Sequence, residues 1–219
     1  MKTKILWLLP LVCLALALPA HAQLGRGDFR LSLDTDVIGV AHVTLDPDGT
    51  GPDRDATVFS LGPNQLGGSH ATLAATPLGL GLGWVLSSKI LFGVRMGLGF
   101  DVISPDGDAD NTKVLAVSLM PGLTFVPIGR KAKLFIAVSP LFQVNRIKGQ
   151  DYLLRFMQGG FSAGIGALIF PASSVSADVG FFFEGRFGGR HLEDNGVEAD
   201  GLRVQDLRGV IRLGLSLWR

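Results

Sequence analysis

The chain is poor in the residues that supply covalent or electrostatic chemistry. Its 219 residues include one cysteine, Cys13, one tyrosine, three tryptophans and four histidines. A lone cysteine excludes an internal disulfide and any cysteine-based metal site. Neither charge dominates, with 20 basic residues against 19 acidic ones, so nucleic-acid binding lacks the basic surplus it needs. Long hydrophobic runs are scarce as well. The one long run, 5-ILWLLPLVCLALAL-18, follows Lys2 and Lys4 and precedes Pro19 and Ala20-His21-Ala22. A basic start, an apolar stretch and small residues before Gln23 read as a cleaved signal peptide over 1–22. Its 14 apolar residues fall short of the ~20 that a membrane helix requires. Lipid attachment at Cys13 is not expected, because Val12 precedes it and the apolar run continues past it. Cleavage would remove Cys13 and leave 18 basic residues against 19 acidic in a single domain, 23–219.

What the chain has is glycine, 30 residues or about twice the usual ~7%, and alternation. In 90-ILFGVRMGLGFDVI-103 the even positions are Ile90, Phe92, Val94, Met96, Leu98, Phe100 and Val102. The odd ones include Gly93, Arg95, Gly97, Gly99 and Asp101. Successive strand side chains point to opposite faces, so one face is apolar and the other carries charge and glycine. Eight such stretches are read as strands, over 29–43, 72–86, 90–103, 113–126, 133–145, 156–170, 175–187 and 204–218. The connections alternate in length. Ser87-Ser88-Lys89, 127-PIGRKA-132 and 171-PASS-174 are short, and the others are longer and rich in Asp, Gly and Pro.

Backbone groups in hydrocarbon must all be paired, so a strand-built membrane protein has to close on itself. The expected fold is therefore all-β, a transmembrane up-and-down antiparallel barrel of eight strands with its apolar face outward. Short turns on one side, long loops on the other and an even strand number put both termini on the periplasmic side of a bacterial outer membrane. Trp84 and Phe125 fall where girdle aromatics belong, near that side. Pro121 and Pro140 lie on the outward face, and because neither can donate to the ladder, bulges are expected there.

An eight-stranded barrel is just wide enough for side chains to fill. Gly79, Gly81, Gly83, Gly97, Gly99, Gly164, Gly166 and Gly214 would make room inside for large neighbours. The expected occupants form a charge network of Arg30, Asp34, Asp36, Arg95, Asp101, Asp178, Glu184, Arg186, Arg208 and Arg212. Asp34 and Asp36 should reach the height of Arg212, and Glu184 should sit beside Arg208. A balanced network reads as a plug, where a ring of one sign would read as an ion filter.

On these features the chain resembles the small outer-membrane barrel families of the OmpA transmembrane-domain, OmpX and OmpW kind. The resemblance implies insertion by the outer-membrane assembly machinery with periplasmic chaperones, and contact with outer-membrane lipid and lipopolysaccharide. It also implies a C-terminal assembly signal, here Arg212, Gly214, Leu217 and Trp218. The departure is that Trp218 is penultimate, with Arg219 last. No domain of the peptidoglycan-binding type is expected after the eighth strand.

Some barrels of this size modify lipid A, which takes a nucleophile and a base. The candidates would be His42, expected inward at the upper end of strand one, and His70 and His191, expected in loops. No third orienting group accompanies them, so no catalytic residue is assigned. The loops 46-DPDGTGPDRD-55 and 105-PDGDADN-111 resemble half of a calcium loop, but the position-12 Glu is Thr57 or Val117. No metal or cofactor is expected, and the acids read as turn chemistry. Of Phe181-Phe182-Phe183, the outer two should touch lipid and Phe182 should pack inside. The expected function is structural, or surface interaction through the loops, without enzymatic activity. The alternatives are a narrow pore for small solutes and a lipid-A-modifying enzyme.

Overall fold

Strict alternation makes each segment amphipathic only when extended, and an extended segment must find neighbours for its backbone groups. The computed structural model describes residues 25–47, 54–61, 78–103, 112–126, 132–148, 152–194 and 197–219. Within them all regular structure is strand. The strands are β1 (Phe29–Pro47), β2 (Arg54–Leu61), β3 (Leu78–Ser87), β4 (Ile90–Ile103) and β5 (Thr112–Phe125). They continue with β6 (Ala132–Lys148), β7 (Tyr152–Ala172), β8 (Val175–Asp194) and β9 (Val197–Trp218). All neighbours are antiparallel from β1 through β3 to β9, and β9 pairs back onto β1 from Arg30↔Trp218 to Pro47↔Leu202. Eight strands thus close into an up-and-down barrel, as the alternation requires. The signal-peptide segment, His70 and the loop 105–111 lie outside the described residues.

Three features depart from the sequence expectation. First, 54-RDATVFSL-61, read as loop, forms β2, which folds back on the far half of β1 from Ile38↔Leu61 to Leu45↔Arg54. Strand β1 thereby changes neighbour along its length, pairing with β3 from Phe29 to Thr35 and with β2 beyond. The alternation of β2 is masked in sequence by flanking Asp, Gly and Pro. Second, β7, β8 and β9 run to 21, 20 and 22 residues. Their polar ends, expected as loops, continue the ladder past the apolar belt. Third, no bulge occurs at either proline. Across β5 and β6 the register is the same before and after the interruption, Leu119↔Phe142 and Leu123↔Val138.

The bulge lies elsewhere, in β1, where the pairing steps from Asp36↔Arg212 to Ile38↔Ile211. The extra residue, Val37, reverses which parity faces outward. Leu31 and Leu33 are exposed below it, and Ile38 and Val40 above it. His42 consequently lies on the outer face with Val40, not inside as expected. Its Nδ1 is 3.2 Å from Thr57 Oγ1 on β2.

The outer wall is an apolar belt. Leu80, Leu82, Met96, Leu98, Leu119, Leu123, Ile136, Val138, Ile165, Phe181, Phe183, Leu213 and Leu215 are all exposed on it. Trp84 and Phe125 sit on the same wall near the short-turn end, where Trp84 stacks on Phe92. A water-soluble barrel would place these residues inside, so the wall matches hydrocarbon.

Candidate functional site: the charged lumen

Inward positions divide the lumen into three levels. At the short-turn end, Val85, Leu91, Val126, Phe135, Leu168, Phe170 and Trp218 form one buried apolar cluster. Here the strands are apolar on both faces. Trp218, the aromatic of the expected assembly signal, points into this cluster and packs on Phe170 with ring centroids 5.7 Å apart.

Above the cluster, Arg30 reaches across the closing seam. Its Nη2 pairs with Asp178 Oδ2 at 2.5 Å and its Nε donates to Ser216 Oγ at 2.9 Å. Asp178 also accepts from Ser176 and Ser216, and Trp218 Nε1 donates to Ser176 Oγ at 3.0 Å. The guanidinium lies 5.4 Å from the Trp218 ring centroid, a cation–π approach that ties the polar level to the apolar one.

The third level is a chain of alternating charges. Arg95 of β4 crosses the inner face of β3 to reach Asp34 of β1, with Nε 2.8 Å and Nη2 2.7 Å from Oδ1. Gly79 permits the crossing, because a Cβ there would collide with Arg95 Nε and Asp34 Oδ1. Arg212 then binds three acids. Its Nε lies 2.6 Å from Asp36 Oδ1 and 3.6 Å from Asp34 Oδ1, and its Nη2 donates to Glu184 Oε1 at 2.9 Å. Its guanidinium carbon also sits 4.5 Å over the Phe182 ring. Glu184 pairs with Arg186, Arg186 Nη1 faces Asp206 Oδ2 at 4.0 Å, and Asp206 pairs with Arg208. Glu184 and Asp206 are fully buried, and these partners offset the cost of taking their carboxyl groups out of water.

Of the sequence-expected lumen residues, Asp34 and Asp36 do meet Arg212. Glu184 stands opposite Arg208 in register, yet their hydrogen bonds go elsewhere, Glu184's to Arg186 and Arg212, and Arg208's to Asp206. The side chain of Asp101 lies outside the described residues. Asp206 was missed, although it shares its parity with Arg208 and Arg212. So were Gln143, Asn145 and Gln158, inward and buried toward the long-loop end. The same alternation rule would have found all four. Phe182 packs inside against Phe135, with Phe181 and Phe183 exposed on the wall, as the alternation required.

Between the apolar cluster and the charge chain lies a cavity of about 120 Å³. Arg30, Asp34, Arg95, Asp178 and Arg212 line it with Ser32, Ser139 and Ser162. Toward the long-loop end, Arg186 Nε and Nη1, Asp206 Oδ1 and both amide atoms of Gln158 are buried without a hydrogen-bond partner among the described residues.

No protein-family model matches the sequence, and no curated protein is detectably similar to it. Solved structures are. The outer membrane protein OprG from Pseudomonas aeruginosa superposes with a TM-score of 0.53 at 11% identity, covering 92% of this chain and 99% of that one. The outer membrane protease OmpT from Escherichia coli does so with a TM-score of 0.52 at 10% identity, covering 88% and 97%. The chain has the outer-membrane β-barrel fold. Its wall is apolar and its lumen is charged.

Proposed function

We propose that this chain is an integral outer-membrane barrel whose interior is plugged, with a structural or surface-interaction role carried by its long-loop end. The apolar wall supports residence in the bacterial outer membrane, and the sorting of short and long connections along the sequence supports a reading with both termini on the periplasmic side. One observation supports the plug above all. The chain from Arg95 through Asp34, Arg212, Glu184 and Arg186 to Asp206 and Arg208 crosses the lumen above a separate apolar cluster. A conducting path would have to cross both. We read the barrel as non-enzymatic. His42 lies on the outer wall, and its Nε2 is 4.0 Å from Asp55 Oδ1, beyond hydrogen-bond reach of the acid that would orient it.

The second reading, a narrow pore for small solutes, draws on the cavity and on Arg186 Nε and Nη1, which are buried without a hydrogen-bond partner among the described residues. Buried polar groups of this kind hold water, and water is what a pore requires. Planar-bilayer conductance of the folded chain, beside Arg212→Ala, separates the two. Silence from both proteins, with folding verified by a heat-dependent gel shift, is the outcome expected of a plug. Stable unitary steps that the substitution alters would replace it with the pore.

A further inference from the structure

The outer wall carries a second arrangement, unconnected with the lumen. On β5, β6 and β7 the apolar belt ends at Leu115, Val144 and Met157, all exposed. The next outward positions are cations: Lys113 on β5, Arg146 and Lys148 on β6, and Arg155 on β7, each exposed. The register stacks them as a block. Lys113 stands directly opposite Lys148, and Arg146 directly opposite Arg155. None of the four makes an ion pair among the described residues. Like charges directly opposed across strands destabilise a sheet, so two adjacent like pairs call for an anion from outside.

We propose that Lys113, Arg146, Lys148 and Arg155 form a docking surface for the phosphate-bearing headgroups of the surrounding lipid leaflet. The charge fixes the sign of the occupant. Continuity with the belt on the same three strands fixes its shape, an anionic head directly above acyl chains. Neighbouring strands lie about 4.8 Å apart and residues two apart rise roughly 7 Å, so the block matches a headgroup in breadth. The two guanidinium forks suit phosphate oxygens, and the lysines add point charge. The inference rests on the barrel lying in a membrane, as proposed above.

The test uses the full chain folded in uncharged detergent micelles, with fluorescent bis-phosphorylated lipid A as the probe. Its dephosphorylated form and inorganic phosphate serve as comparison arms. Each cation near an anionic surface contributes about fivefold in affinity, so Arg146→Gln with Arg155→Gln should weaken lipid A binding roughly 25-fold. Lys113→Gln with Lys148→Gln, a second variant, should do the same. Both double variants should melt higher than the parent in lipid-free micelles, because removing a like pair relieves repulsion. Equal binding by parent and variants overturns the site and leaves the barrel reading standing. Full competition by inorganic phosphate overturns the headgroup in favour of a free anion. A chain that enters neither micelles nor vesicles overturns both readings.

Discussion

Pro121 of β5 stands opposite Pro140 of β6. The pairs Leu119↔Phe142 and Leu123↔Val138 flank them, and the three positions between make no ladder pairing. In an antiparallel ladder every second pair exchanges both N–H···O bonds. The gap of three marks Pro121 and Pro140 as such a pair, with both missing donors aimed at one seam. On their other sides Pro121 stays in register with Val94 and Pro140 with Phe161. The two prolines therefore interrupt one strand pair where, placed independently, they would interrupt two.

Restoring the donors should stabilise the barrel. Pro121→Val and Pro140→Val each supply an N–H aimed at the opposite carbonyl. Each should raise unfolding stability by about 0.5–1.5 kcal/mol, and the double variant by about twice that. Denaturant unfolding in micelles checks it. A neutral or destabilised double variant would show that the seam is not a hydrogen-bond gap.

Arg212 is the hub of the charge chain, and its loss leaves Asp36 and Glu184 short of a partner in a buried setting. Arg212→Ala should cost roughly 3–5 kcal/mol. Arg212→Ala combined with Glu184→Gln should cost less than the sum of the two single substitutions. Strict additivity in that cycle would refute the pairing.

Gly79 is constrained by the bridge that passes over it. Gly79→Ala places a methyl among Arg95 Nε, Arg95 Nη2 and Asp34 Oδ1. We expect a loss of about 1–3 kcal/mol from overpacking. Arg95→Ala, which removes two of those three atoms, should reduce the penalty of Gly79→Ala. A penalty unchanged in the Arg95→Ala background would sink the crowding argument.

Trp218 holds the apolar end of the lumen. Trp218→Ala should destabilise by about 3–5 kcal/mol, yet leave the barrel non-conducting because the charge chain is intact. Only Trp218→Ala together with Arg212→Ala is expected to give unitary conductance. Current through Trp218→Ala alone would show that the charge chain does not block the lumen.

Much of this protein was legible from period-two alternation, a local property. It yielded the eight barrel strands, the outward belt, Arg95, Asp178 and Glu184 on the inner face, and Phe182 inside between two wall phenylalanines. The same rule failed at His42 for a definite reason. One extra residue at Val37 reverses every later position of β1, and no local pattern announces a bulge between Asp36 and Ile38.

The sequence by itself determined which faces are apolar, how many strands close the barrel and which side chains compete for its interior. Only the tertiary structure decided who pairs with whom. Arg95 meets Asp34 across β3, Glu184 bonds Arg212 in preference to Arg208, Pro121 finds Pro140, and four cations converge beyond Met157. The physical reason is that register is a sum over whole strands, turns and closure. Alternation repeats every two residues and carries no information about where one strand stops against the next.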